Sequence, residues 1–279
     1  MIETDYIIKP QKQLRLNWKE LWQYRELFYF FTWRDIKVKY KQTILGFLWV
    51  ILQPLLMMGV FVLFFSKGLK ISTDNIPAPI FYLSGLIYWN LFSAGLSSSA
   101  NSMVNDAQII KKIYFPRLII PISSILVATF DFMISLLIFT IILLGYLFLS
   151  DISLSVWTPF LFIAALLLTL ITTFGLGTLL ASLNIQYRDF RYVIPFMIQF
   201  MLFITPVFYP LRLFESIPYL KYILALNPIT GAILLARASL LTTTLDWIIV
   251  SISSCSAILL FVLGLFIFKK MEAYFADIA

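Results

Sequence analysis

Histidine is absent from this 279-residue chain, cysteine occurs once, and charged residues make up only 13% of it. Without histidine the chain lacks the residue a histidine-dependent membrane acyltransferase would use for proton transfer. The lone Cys255, set in an apolar stretch, excludes a disulfide framework and leaves the redox compartment open. There is no Gly-x4-Gly-Lys-Ser/Thr segment and no Gly-Lys pair, so ATP is not bound here by a phosphate loop. If the process served is uphill, another subunit must supply the energy. Carboxylates are also sparse. The stretch 67–79 offers only Asp74, where metal-dependent glycosyl transfer would want a cluster.

What is present is apolar: 61% hydrophobic residues, 17% aromatic, and a mean hydropathy of +0.92. These values lie outside the soluble globular range. The net charge of +7 would suggest nucleic acid in a soluble chain. Here the basic residues flank apolar runs, where they orient a membrane protein, and no nucleic-acid partner is expected. Residues 44–66 form an uncharged run of 23 residues preceded by nine Lys or Arg. At about 1.5 Å per residue the run covers roughly 34 Å, enough for a hydrocarbon core of about 30 Å. It starts too late and is too long for the apolar core of a signal peptide.

Further spans are expected at 80–104, 118–149, 157–183, 192–209 and 246–268, six in all. Between the fifth and sixth, Pro210, Pro218, Pro228 and Gly231 cut residues 210–245 into pieces too short to cross, as re-entrant or interfacial helices are. With six spans, 16 basic residues fall on the side of the termini and 5 on the other, placing both termini in the cytoplasm. The fold class is therefore an all-α integral membrane protein. Its N-terminal part, 1–43, precedes a six-helix transmembrane domain at 44–268 and a tail at 269–279.

Before the first span, Leu14, Trp18, Leu21, Trp22, Phe28 and Tyr29 project into one arc of about 120° on a helix, with Lys19, Glu20, Gln23 and Glu26 opposite. Such a helix lies in the membrane interface, as an anchor or as a lever for a cytoplasmic partner. The segment Asn105 to Pro121 places Asp106, Lys111 and Lys112 on a short helix ended by Pro116, which is a docking element or a solvated loop. Asp131 is the one acid deep within a span and should find a hydrogen-bonding partner inside the protein. Trp49, Tyr88, Trp89, Phe92, Phe196, Phe200 and Phe203 fall deep enough to line a passage. Aromatic faces suit sugar C–H groups there, although lipid-facing bulk is the plainer role.

Taken in order, RDIKVKYKQTILGFLWVILQPLL at 34–56, IYFPRLIIP at 113–121 with DF at 131–132, RDFRYVIPFMIQFMLFITPVFYP at 188–210 and NPITGAILLAR at 227–237 resemble the type 2 ABC transporter permease family. The likeness is to its polysaccharide and polyol-phosphate exporter branch. The resemblance implies a homodimer in the bacterial cytoplasmic (inner) membrane that recruits two copies of a separate ABC ATPase. ATP and Mg would sit on that partner, with no cofactor or metal in this chain and no catalytic residue of its own. It implies that spans one and five line the passage for a lipid-linked glycan. Arg34, Asp35, Lys37 and Tyr40 would serve coupling or substrate entry, or act only as orienting charges. Pro210, Pro218, Asn227, Pro228 and Arg237 would belong to an outer gate. Other readings are an exporter of a small amphiphile or drug, a structural membrane subunit, and a membrane glycosyl- or acyltransferase.

Overall fold

The computed structural model describes residues 18–41, 46–74, 76–149, 156–214, 217–238, 240 and 245–275, and every regular element among them is helical. In chain order these are α1 (Trp18–Gln23), α2 (Arg25–Lys41), α3 (Gly46–Phe61), α4 (Ala78–Asn105) and α5 (Ala107–Lys112). They are followed by α6 (Ile119–Leu149), α7 (Thr158–Gln186), α8 (Phe190–Ile204), α9 (Pro218–Ala225), α10 (Pro228–Ala238) and α11 (Trp247–Met271). A π-helical stretch, Val62–Gly68, prolongs α3. Leu14, the first two residues of the expected first span, the loop at 150–155 and the tail beyond 275 lie outside the described residues.

Among the described residues, four stretches are long and apolar enough to cross a membrane: Gly46–Gly68, Ile119–Phe148, Thr158–Gln186 and Trp247–Tyr274. The pair Tyr219–Ala225 and Pro228–Ala238, bent by 101°, adds a fifth if taken as one broken span. The chain is a multi-pass membrane protein. The two expected spans outside this set differ for physical reasons. α4 is 28 residues long but carries serines and asparagines along its length, and it packs against α6, α7 and α10. A helix enclosed by protein has no need of a lipid-like sequence. α8 has 15 residues, about 22 Å of helix, because Pro206 forces Thr205 into an extended conformation. The expected span to 209 therefore stops at Ile204.

The main core gathers around α4, whose Phe81, Tyr82, Tyr88 and Phe92 are fully buried. Close crossings build it. At Gly175 an added Cβ would lie 2.6 Å from the backbone of Phe261, and one at Gly264 would meet the Gly175 carbonyl, so α7 and α11 touch backbone to backbone. A second cluster joins Leu21, Phe31, Met103, Ile110, Phe115, Phe268 and Phe275, drawing α1, α2, α5 and the C-terminal turn together at one end of the bundle.

The N-terminal helix departs from its expected form. It breaks at Tyr24 into α1 and α2, and its stripe divides: Leu21 enters the second cluster with Phe28 packed against it, while Trp22 and Tyr29 stay exposed. Phe31, outside the stripe, is the buried anchor of α2. The cause is tertiary, since α6 and the 113–118 turn offer a protein surface to one side of α2.

Candidate functional site

At the α2 end, Arg34 is clasped by two carboxylates. Its Nε donates to Asp35 Oδ1 at 2.8 Å, and its Nη2 lies 3.0 Å from Asp106 Oδ1 at the junction of α4 and α5. The guanidinium also sits 4.9 Å from the Phe31 ring centre. Burial acts to lower the Arg34 pKa, but the hydrogen bond to Asp35 and the charges of Asp106 and Asp35 raise it on balance. Burial raises the Asp106 carboxyl above the ordinary range, with Arg34 pulling the other way. Three of the sequence candidates thus meet in one cluster. Lys37 lies over Trp33 instead, and Lys111 and Lys112 end α5 as exposed cations.

Tyr40 reaches a different partner. Its hydroxyl and the Lys39 ammonium both donate to the Asp131 carboxylate on α6. Burial, then the hydrogen bond and charge of Asp131, raise the Tyr40 phenol well above its usual range. Asp131 is thus satisfied inside the protein, and the contact pins α2 to α6. Lys39, which completes it, stands 92 positions away in sequence. The signal for it was the intramembrane acid itself, which demands a cation or donors.

The aromatic candidates separate into two groups. Trp49 on α3 and Phe196, Phe200 and Phe203 on α8 are at least half exposed, with Phe196 and Phe200 stacked at 6.5 Å. The three phenylalanines form an open wall on α8, while Trp49 borders a cavity from α3. Trp89 is nearly buried, yet it borders a cavity of about 530 Å³ between α3, α4, α6 and α8. Tyr88 and Phe92 are not on this wall. Tyr88 donates to the Phe162 carbonyl of α7 at 3.0 Å and packs on Phe132, and both residues are fully buried. Because the faces of α4 that carry Tyr88 and Phe92 pack against other helices, depth within it does not bring these aromatics to a surface.

At the other end, Arg237 of α10 is buried and reaches the irregular segment after α8. Its Nη1 donates to the carbonyls of Pro206 at 2.7 Å and Tyr209 at 3.3 Å, and its Nη2 to those of Val207 at 2.6 Å and Phe81 at 3.4 Å. The guanidinium carbon lies 3.6 Å above the Phe81 ring centre. Asn227 helps from the α9–α10 bend, donating to Thr205 Oγ1 at 2.7 Å and accepting from the Ile229 N–H. The Arg237 bonds to Pro206, Val207 and Tyr209 satisfy backbone oxygens in the irregular segment after Ile204. Pro210 and Pro228 are buried beside them, and Pro218 opens α9. Of the expected outer set, Asn227 and Arg237 therefore act as braces on the end of α8.

The ABC-2 type transporter family model matches residues 26–241, most of the chain. O-antigen export system permease protein RfbA of Klebsiella pneumoniae is 30% identical over 246 residues, covering 88% of this chain and 92% of that protein. The RfbA protein of Myxococcus xanthus is 30% identical over 213 residues, 76% of this chain and 79% of the relative. Polysialic acid transport protein KpsM of Escherichia coli is 24% identical over 215 residues, 75% and 78% of the two chains. The matched region takes in the Arg34 cluster, the open aromatic wall and the Arg237 brace, and the chain belongs to the ABC-2 type transporter family.

Proposed function

We propose that this chain is the membrane permease of an ATP-driven exporter that moves a lipid-linked polysaccharide out of the cytoplasm. The observation that carries the reading is the wall of Phe196, Phe200 and Phe203 on α8, with Trp49 on α3, aromatic side chains left uncovered in a single copy. A second copy facing this wall encloses a passage lined with rings, along which a sugar chain slides without being held tightly at one point. The names of the relatives, O-antigen export permeases and a polysialic acid transport protein, support the class of cargo.

In this reading six segments cross the bacterial inner membrane, α4 and α8 included, and both termini face the cytoplasm. α9 and α10 form a re-entrant outer gate. The α2 end, with the Arg34–Asp35–Asp106 cluster and the exposed Lys111 and Lys112, receives two copies of the ATPase, which bind ATP and Mg. This chain performs transport and no chemistry of its own.

The test is depletion of the chain in its native cell, with surface and internal polymer distinguished by an added glycan-degrading enzyme before and after lysis. Complete polymer protected inside the cell is the expected result. Truncated or missing polymer would assign the chain to assembly, and unchanged surface polymer would favour export of a small amphiphile.

A further inference from the structure

The cavity between α3, α4, α6 and α8 has an unusual lining for a membrane interior. Gln53 of α3, Asn90 and Ser97 of α4 and Gln199 of α8 border it, together with the indoles of Trp49 and Trp89. No side chain of these six hydrogen-bonds to another described residue. Ser93 and Ser135, also in the lining, turn their hydroxyls back onto their own helices at Asn90 and Asp131. Asn90 lies midway along α4 and Asp131 midway along α6, so the place is at mid-depth of these helices, open on the side where Gln53 and Gln199 are exposed. Amides there that meet only hydrocarbon lose about 1–3 kcal/mol each. The lining calls for an occupant with its own hydroxyls.

We infer that this cavity is a holding site for neutral sugar units of the moving polymer. The inference rests on the export reading above and names the class of cargo. A volume of about 530 Å³ lies in the range of small-ligand pockets. The two indoles offer faces for sugar C–H groups and N–H donors at their edges, while each amide both donates to and accepts from hydroxyls. Charge decides between kinds of sugar. The ionisable groups in the lining are Lys39 and Asp131, and they are paired with each other. With its positive and negative charges mutually satisfied, the site offers no free cation to a phosphate, a uronate or a sialic acid. An acyl chain fits it no better, since it leaves the amides unmet.

The test uses the chain with its ATPase partner in lipid nanodiscs and saturation-transfer NMR with methyl glucoside, methyl mannoside and maltotriose as probes. N-acetylneuraminic acid and glycerol 3-phosphate are the anionic controls. Neutral sugars should bind, and Asn90→Leu and Gln199→Leu should each weaken that binding about tenfold. Cys255→Ser, on the exposed face of α11, should leave it unchanged. Gln199 is exposed on α8, so its replacement tests the site without disturbing the core. Failure of the neutral sugars to bind, equal binding of the anions, or indifference to both leucine variants overturns the inference. If that happens while depletion still traps polymer inside the cell, the export reading stands without the site. Sugar binding with unchanged surface polymer on depletion would keep the site and remove the export reading.

Discussion

α4 and α8 invert the distribution that a soluble protein would give them. α4 carries serines and asparagines yet is mostly buried against α6, α7 and α10, while α8 is more apolar and turns Tyr192, Phe196, Phe200 and Phe203 outward. In water the opposite would hold. Where the surrounding solvent is hydrocarbon, apolar surface gains nothing by being hidden, and helix contacts rely on small residues, close backbones and internal hydrogen bonds. The comparison separates two tasks: α4 holds the bundle together, and α8 presents a surface.

The residue joining the two helices should give the largest effect. Arg237 bonds both the segment after α8 and the Phe81 carbonyl of α4, so Arg237→Met should destabilise the purified protein by more than about 3 kcal/mol, read by thermal unfolding in detergent. Survival of its melting profile would mean that α8 is held by other contacts. Next comes α4 alone. A Cβ at Gly95 would lie 2.8 Å from Thr173 Cγ2, so Gly95→Leu should cost about 1–3 kcal/mol in the same assay by forcing α4 from α7.

A smaller effect is expected where α2 is tied to α6. Lys39 is nearly half exposed, so a double-mutant cycle of Lys39→Met and Asp131→Leu should show a coupling of about 1 kcal/mol. Additive losses would break the pairing. The smallest change in stability belongs to α8. Replacing Phe196, Phe200 and Phe203 together by Leu should alter stability by about 0.5 kcal/mol or less while export in cells falls and ATPase activity persists. A large loss of stability from this triple change would erase the distinction between the two helices.

The long helices were legible because an uncharged run longer than the hydrocarbon core has few alternatives, and α3, α6, α7 and α11 lie where such runs fall. The Pro-broken region after α8 was legible for the same reason that it is short and bent. Facing was not legible. Tyr88 and Trp89 are adjacent in sequence, but one bonds to α7 and the other borders the cavity, and only the position of neighbouring helices decides that. The need of Asp131 for a partner could be read from its depth, whereas its pairing with Lys39 and Tyr40 depends on how α2 folds back along α6. Gln53, Asn90 and Gln199 carried the stronger clue to a binding place, being polar side chains within apolar surroundings, and attention to aromatics alone passes over them.

The contact of α7 with α11 at Gly175 and Gly264 also bears on the order in which the chain is made. α7 is made about sixty residues before α11 begins, and the strip of backbone it reserves stays uncovered until α11 arrives. α11, made after α7, is therefore the helix that locks this seam. A ribosome stalled between the two would release a chain with a vacant seam, a ready mark for quality control in the membrane.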